Sequence, residues 1–286
     1  MGNAAPQKAW TWFNGQWHEG NPAIIGPSTH GMWMSSTVFD GARRMKGKTP
    51  DLIPHCARVI RSAQLMGLSP KITTDEIVTL AREGIAKFDP DVALYIKPII
   101  YGETGFIAPD PDSAQFVLCI YESALPDAIQ TGFSAQKSSF RRPSPESAPT
   151  EAKASCLYPN VGRAVSEARD NGFDTGVMLD PVGNVAEFSY ANLFYAKDGT
   201  VFTPAINGTF LNGLTRQRVI GLLRDDGVDV VEKAVKYSDL EAADEIFGTG
   251  NYYKVAPCVK LDARALQPGP ITRRAQELYW DFVERG

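Results

Sequence analysis

The sequence predicts a two-domain protein of the α/β (α+β) class, and three observations carry that expectation. At 286 residues the chain exceeds the usual size of one hydrophobic core. Short strand-like runs and helix-period runs occur along both halves. Between the halves, from Glu122 to Thr150, the periodicity fades and prolines gather at 126, 143, 145 and 149, as in a connection between domains. The expected layout is a small N-terminal domain over residues 1–125, a connection over 126–149 and a larger C-terminal domain over 150–286.

The elements follow in order. Ala9 to Trp17 alternates around Asn14-Gly15 and predicts a hairpin; Thr37 to Met45 with its Lys46-Gly47 turn predicts another strand. His55 to Met66 and Thr74 to Phe88 carry apolar residues at helical spacing, the second opening on the cap-like Thr73-Thr74-Asp75-Glu76. Ala93 to Tyr101 and Gln115 to Tyr121, rich in β-branched and aromatic residues, read as strands. In the second half Tyr158 to Asn171, Thr215 to Asp225 and Ser238 to Ala243 read as helices. Thr175 to Asp180, Asn192 to Ala196, Val228 to Val235 and Glu245 to Thr249 read as strands, and Ile271 to Arg285 closes as an amphipathic helix.

Composition excludes several classes. Apolar residues make up 43% and charged residues 22%, which fits neither a disordered chain nor a collagen or coiled coil. The net charge is −4 and the basic residues are scattered, so no stripe offers itself to a nucleic-acid backbone. Met1 to Trp17 lacks a basic segment followed by an apolar core, and no run has bilayer length; a cytoplasmic protein without a membrane partner is expected. Cys56, Cys119, Cys156 and Cys258 are far apart and read as reduced thiols. His18, His30 and His55 are too few for a metal cluster or a Ser-His-Asp triad, so each reads as structural and no metal is expected.

The chemistry centres on Ala152-Lys153-Ala154-Ser155-Cys156-Leu157-Tyr158, which sets one lysine among small and apolar residues. Desolvation lowers the pKa of a lysine and yields a neutral, nucleophilic amine suited to Schiff-base formation. The plain alternative is that Lys153 merely precedes the helix from Tyr158.

Around that lysine six motifs occur in a familiar order. They are His55-x-x-Arg58-x-x-x-Ser62, Tyr95-Ile96-Lys97-Pro98, Lys153-Ala154-x-x-x-Tyr158, Glu187-x-x-x-x-Asn192-Leu193-Phe194, Leu211-Asn212-Gly213-Leu214-Thr215-Arg216 and Gly250-Asn251-Tyr252. In this the chain resembles the fold-type IV pyridoxal-phosphate enzymes, and within them the branched-chain aminotransferases, from about Phe13 to the closing helix.

The resemblance implies a cofactor, pyridoxal 5′-phosphate, bound chiefly by the C-terminal domain in a cleft between the domains. Lys153 would hold it as a Schiff base and act as the catalytic base. Glu187 would support the protonated ring nitrogen that makes the pyridinium an electron sink. Arg58 and the amides of Leu214 and Thr215, where a turn enters a helix, would take the phosphate together with Asn251. Tyr158 would hydrogen-bond the 3′ oxygen. Tyr95, Lys97, Asn251 and Tyr252 would meet the substrate carboxylate, and Phe39 and Gly41 of Phe39-x-Gly41-x-Arg43 would wall the pocket, the glycine leaving room for substrate. A residue-level reading leaves bland alternatives: Arg58 as an exposed helix residue, Glu187 as a solvated residue after a turn, Thr215 as an ordinary N-cap.

By the same resemblance the partners are an amino donor, a 2-oxo acid acceptor and a second copy of the chain, whose loop around Gly105 to Ala108 would complete the pocket. The expected reaction is transamination from an aliphatic, branched-chain L-amino acid to 2-oxoglutarate. The sequence departs from the family pattern in four places. Lys97 replaces an arginine, Asn251 a threonine and Met34 an aromatic, and Glu122-Ser123-Ala124-Leu125 lacks the tryptophan lid. These departures bear on substrate rather than cofactor, because lysine and arginine do not recognise carboxylates alike. The alternatives are an (R)-selective amine or D-amino acid aminotransferase, an aminodeoxychorismate lyase and a binding module without chemistry.

Overall fold

The computed structural model describes residues 8–285, which form two compact units. Unit one comprises 8–124 with 152–156, and unit two 125–151 with 157–285. Residues 1–7, which begin the stretch read for a targeting leader, and residue 286 lie outside the described residues.

Unit one opens with the expected hairpin, β1 (Ala9–Phe13) and β2 (Gln16–Glu19). Asn14 and Gly15 take φ of 51° and 80°, the left-handed pair that a type I′ turn requires and that Asn-Gly adopts readily. Then come α1 (His30–Trp33), β3 (Thr37–Phe39), β4 (Ala42–Arg44), α2 (Leu52–Leu65), α3 (Thr74–Ile85), β5 (Leu94–Gly102) and β6 (Ala114–Glu122). The strands make an antiparallel sheet in the order β2-β1-β6-β5-β3, with β4 also on β5. Alternation along β5 sorts its faces. Leu94, Ile96 and Ile100 enter a core with Val59 and Ala63 of α2 and Ile77 and Ala81 of α3, while Tyr95 and Lys97 lie on the opposite face. Helix α3 starts with the anticipated capping box: Glu76 N donates to Thr73 Oγ1 at 3.3 Å and Thr73 N to Glu76 Oε2 at 2.7 Å.

The single strand expected over Thr37 to Met45 is broken at Asp40-Gly41, and the cause is a buried charge. Asp40 accepts hydrogen bonds from His55 Nδ1 at 2.7 Å, from Arg58 Nε at 2.6 Å and from Arg58 Nη2 at 2.9 Å. The amide of Gly41 adds a fourth at 2.7 Å. A carboxylate removed from water must be surrounded in this way, and strand pairing yields to it. Burial alone would raise the Asp40 pKa; Arg58 and His55 more than offset this and hold the carboxyl well below the usual carboxylate range.

His55, Arg58 and Ser62 share one face of α2, as their spacing of three and four requires. Ser62 Oγ accepts from Lys153 N at 3.1 Å. Residues 152–156 run along β3, with Ala154 bridging Val38 and Phe39 N donating to Lys153 O at 3.1 Å. Ala152 and Ala154 are wholly buried in the core of unit one, so the intervening Lys153 side chain faces the other way.

Unit two is built on a nine-stranded sheet. Its strands are β7 (Phe133–Arg141), β8 (Thr175–Leu179), β9 (Val185–Phe188), β10 (Asn192–Lys197), β11 (Thr200–Pro204), β12 (Val230–Lys233), β13 (Glu245–Gly250), β14 (Lys254–Leu261) and β15 (Arg264–Ala265). The order is β12-β11-β10-β13-β14-β7-β8-β9, with β15 on β14. Its helices are α4 (Ala128–Thr131), α5 (Tyr158–Asp170), α6 (Leu214–Asp225), α7 (Tyr237–Glu241) and α8 (Pro270–Arg285). β7 lies inside the stretch read as a connection, and it runs parallel to both β14 and β8. Ser134, Lys137, Ser138 and Ser139 fall on both of its faces and mask the strand, while Phe133 and Ala135 sit in the core. β11, β14 and β15 were likewise not anticipated. No helix among the described residues is long and apolar enough to cross a membrane.

The buried cluster at Asp40 sets an acid limit on stability. Because its folded pKa lies below the unfolded value of ~3.9, its stabilisation is fully present above that pH and is lost as the pH falls from there towards the folded value. Asp40→Asn is expected to destabilise the chain by about 3 kcal/mol at neutral pH, since it strands the Arg58 charge. Its stability should also fall less steeply below about pH 4 than that of the unaltered chain. Urea unfolding at stepped pH measures both, and acid limbs of equal slope would count against the assignment.

Candidate active site

Unit one gathers Lys153, Phe39, Gly41, Arg58, Tyr95 and Lys97 at β3, β4, β5 and the 152–156 segment. Lys153 Nζ lies 5.0 Å from the centre of the Phe39 ring. Arg58 is fixed in orientation by its two bonds to Asp40 rather than lying loose on the helix surface. The room left by Gly41 goes to a neighbouring residue: a Cβ there would lie 2.1 Å from the Tyr95 hydroxyl. Glycine is therefore needed here for the tyrosine to stand where it does.

Tyr95 heads a small cationic-aromatic array. Its ring stacks on that of Tyr121 at 5.4 Å and 17°, as their cross-strand register allows. Lys97 Nζ lies 5.6 Å from the Tyr95 ring centre and 4.9 Å from that of Tyr121. Arg43, wholly buried, stands 5.5 Å from the Tyr95 ring and donates to Ser123 O at 2.9 Å. Burial raises the Tyr121 phenol above its ordinary pKa, against the opposing charge of Arg43. Sequence reasoning gave Tyr121 and Asp40 no role. The β5–β6 register would have found the first, and a single acid among the apolar Val38, Phe39 and Ala42 the second.

Unit two gathers Tyr158, Glu187, Leu214, Thr215, Asn251 and Tyr252. Glu187, on β9, is buried, with Oε1 3.3 Å from Arg142 Nε and Oε2 accepting from Asn192 Nδ2 at 3.4 Å. It is thus a held, desolvated carboxylate and not a solvated residue after a turn. Arg142 came from the proline-rich stretch and carried no sequence signal; it also donates to Thr209 O at 3.1 Å.

Asn192 ties three pieces together. Its Nδ2 also donates to Leu211 O at 2.9 Å, which fixes the turn into α6. A Cβ on Gly213 would lie 2.0 Å from Asn192 Oδ1, so only glycine permits that approach. Across the sheet Asn192 pairs with Thr249, the penultimate residue of β13, and the Gly250-Asn251-Tyr252 turn follows at once. The N-cap of α6 is Gly213, with no side-chain cap; Thr215 is not the cap but the second helical residue, buried. The first-turn amides of Leu214 and Thr215 accordingly have no acceptor from the cap residue, an arrangement that suits an anion. Tyr158 is half-buried at the first position of α5. Tyr252 is exposed, its ring edge-on to Tyr190 at 6.3 Å.

Residues 37–261 match the family model described as amino-transferase class IV. The branched-chain-amino-acid aminotransferase of Pseudomonas aeruginosa is 31% identical, over 95% of this chain and 92% of its own length. The corresponding protein of Escherichia coli K12 is 30% identical, over 94% and 91%. Among solved structures, an aminotransferase from Brucella abortus bound to the cofactor PLP superposes with a TM-score of 0.95 at 46% identity, covering 97% of this chain and all of that one (100%). A branched-chain aminotransferase from Thermoproteus uzoniensis with norvaline gives 0.89 at 30% identity, covering 96% and 95%. The chain belongs to the class IV amino-transferases, with the fold-type IV architecture and the transaminase activity of that family.

Proposed function

We propose that the chain uses pyridoxal 5′-phosphate to transfer an amino group from an aliphatic, branched-chain L-amino acid to 2-oxoglutarate. The observation that supports this most is the buried carboxylate of Glu187, held by Arg142 and Asn192 in the unit that also carries a glycine-capped helix start. The residues fit the cofactor: a carboxylate for the ring nitrogen, open first-turn amides for the phosphate and a half-buried lysine amine. When bound, the cofactor supplies an electron sink for the pair left when the donor's Cα loses its proton.

The chain's own groups do the rest. Lys153 Nζ would hold the cofactor covalently and would act as the base that takes the donor's Cα proton and returns it. Glu187 keeps the ring nitrogen protonated, which burial would otherwise disfavour. Arg58, Asn251 and the amides of Leu214 and Thr215 bind phosphate, and Tyr158 donates to the 3′ oxygen. Tyr95, Lys97, Asn251 and Tyr252 orient the substrate carboxylate, and Phe39 excludes water beside Lys153. A cytoplasmic setting completes the reading, in keeping with four free cysteine thiols.

Lys97 favours a second reading, an (R)-amine or D-amino acid donor. Its ammonium lies over two tyrosine rings and offers no planar fork to a carboxylate.

We also propose a homodimer. Phe106 and Ile107 are about three-quarters exposed, at 74% and 72%, and Met32 and Trp33 lie half in water nearby in the sequence of α1. The Trp33 and Phe106 rings stand 6.3 Å apart. His30 holds this loop in shape, its Nε2 3.1 Å from Phe106 O and its Nδ1 2.7 Å from Ser36 Oγ. An apolar, preformed loop of this kind fits a second copy of the chain.

Four experiments test these readings. Single donors mixed with the holoprotein should discharge its visible absorption, with L-leucine, L-valine or L-methionine effective and 2-oxoglutarate restoring it. Lys153→Ala should lose the borohydride-fixable cofactor adduct by mass spectrometry and several orders of magnitude in turnover; a tenfold preference for (R)-amines or D-amino acids, about 1.4 kcal/mol, hands the site to the second reading. Glu187→Gln should keep most cofactor affinity while kcat falls about a hundredfold or more, and a defect confined to affinity would refute its role. In sedimentation the protein should run as a dimer and Ile107→Asp should shift it towards monomer; a fully active monomer would overturn the assembly.

A further inference from the structure

Lys254 was given no role above, and its setting is unusual for a lysine. It is only 1% exposed, and its φ of 65° lies in the left-handed region that non-glycine residues seldom occupy. Lysine is among the residues least often buried, because an ammonium stripped of water is costly unless it is well partnered. The strained backbone brings the buried side chain to Asn251. Lys254 begins β14 opposite Gly250, so the chain folds back over Gly250-Asn251-Tyr252, and Lys254 Nζ donates to Asn251 Oδ1 at 2.6 Å.

That contact settles which way the Asn251 amide points. The oxygen and nitrogen ends of a carboxamide are alike in shape and are told apart by their partners. An ammonium has donors and no acceptor, so the end facing Lys254 is the oxygen. The Nδ2 end, with its two N–H donors, therefore turns to the opposite side of the carboxamide. An asparagine so oriented offers donors to an oxyanion, and the nearby positive charge makes those donors more effective in a desolvated setting.

We propose that Lys254 is a positioning residue that locks Asn251 so that its amide presents N–H donors to an oxyanion at the β13–β14 turn. The inference rests on the functional reading above, in which two oxyanions qualify, the cofactor phosphate and the donor carboxylate. The turn follows directly on Thr249, which pairs with Asn192 beside the start of α6, and Gly250 lies against Ala191. The oxyanion would thus be met by the same side of unit two that carries the open amides of α6.

Two variants separate positioning from mere support. Asn251→Asp keeps an acceptor for Lys254 and gains an ion pair, so its thermal midpoint should match or exceed that of the unaltered protein. It removes the donors, however, and binding of the anion should weaken by about tenfold or more. Lys254→Met should lower the melting temperature and weaken binding in the same sense, because the amide is then free to turn.

Binding is read by titrating the apoprotein with pyridoxal 5′-phosphate, with pyridoxal and with inorganic phosphate, and by the KM for L-leucine of the reconstituted enzyme. A loss for pyridoxal 5′-phosphate and phosphate but not for pyridoxal identifies the cofactor phosphate as the oxyanion. A raised KM with unchanged cofactor Kd identifies the substrate carboxylate. Asn251→Asp with cofactor Kd, phosphate Kd and KM all unchanged overturns the proposal while leaving the function intact. Failure of the unaltered protein to bind pyridoxal 5′-phosphate would instead defeat the functional reading on which it stands.

Discussion

A single carboxylate inside unit one organises much of what surrounds it. Asp40 cannot be ionised in that interior without several donors, and meeting the need breaks a strand, turns Gly41 inward and draws one face of α2 towards β3. Once α2 is drawn in, its Ser62 reaches the backbone of Lys153. Once Gly41 is turned, Tyr95 can place its hydroxyl against the bare Cα. An arginine expected to serve an anion is thereby pre-oriented by an internal anion, and reach is exchanged for rigidity. The lysine segment is then held by its pairing with β3 and by the Ser62 hydroxyl.

Unit two encloses a second carboxylate. Glu187 is flanked by a guanidinium and a carboxamide, and neither bond, at 3.3 Å and 3.4 Å, is short. The two acids have similar burial and different surroundings.

How much of this could be read from the sequence depends on how local each signal is. The Asn14-Gly15 turn, the Thr73 capping box and the period of α2 and α3 are contained in a few residues each, and they stand where expected. The motifs that carry Lys153, Glu187 and Arg58 were legible for the same reason. Asp40, Arg142 and Lys254 were not, because each matters through a partner far along the chain or around a turn whose backbone is left-handed. Strand β7 escaped because its polar residues fall on both faces and leave no clear alternation, while the strands that pair with it, β8 and β14, lie further along the chain.

The splitting of the chain between the units also has a consequence for its synthesis. Unit one is complete only with residues 152–156, yet residues 125–151, including the whole of β7, are made first and belong elsewhere. A ribosome adding roughly 5–20 residues per second delivers the Lys153 strand a second or more after β6 has emerged. During that interval the β3 edge lacks its last neighbour, and the face of α2 bearing Ser62 has no backbone to receive. The nascent sheet is therefore held open along β3, and the segment that carries Lys153 is the closing strand of the fold that precedes it.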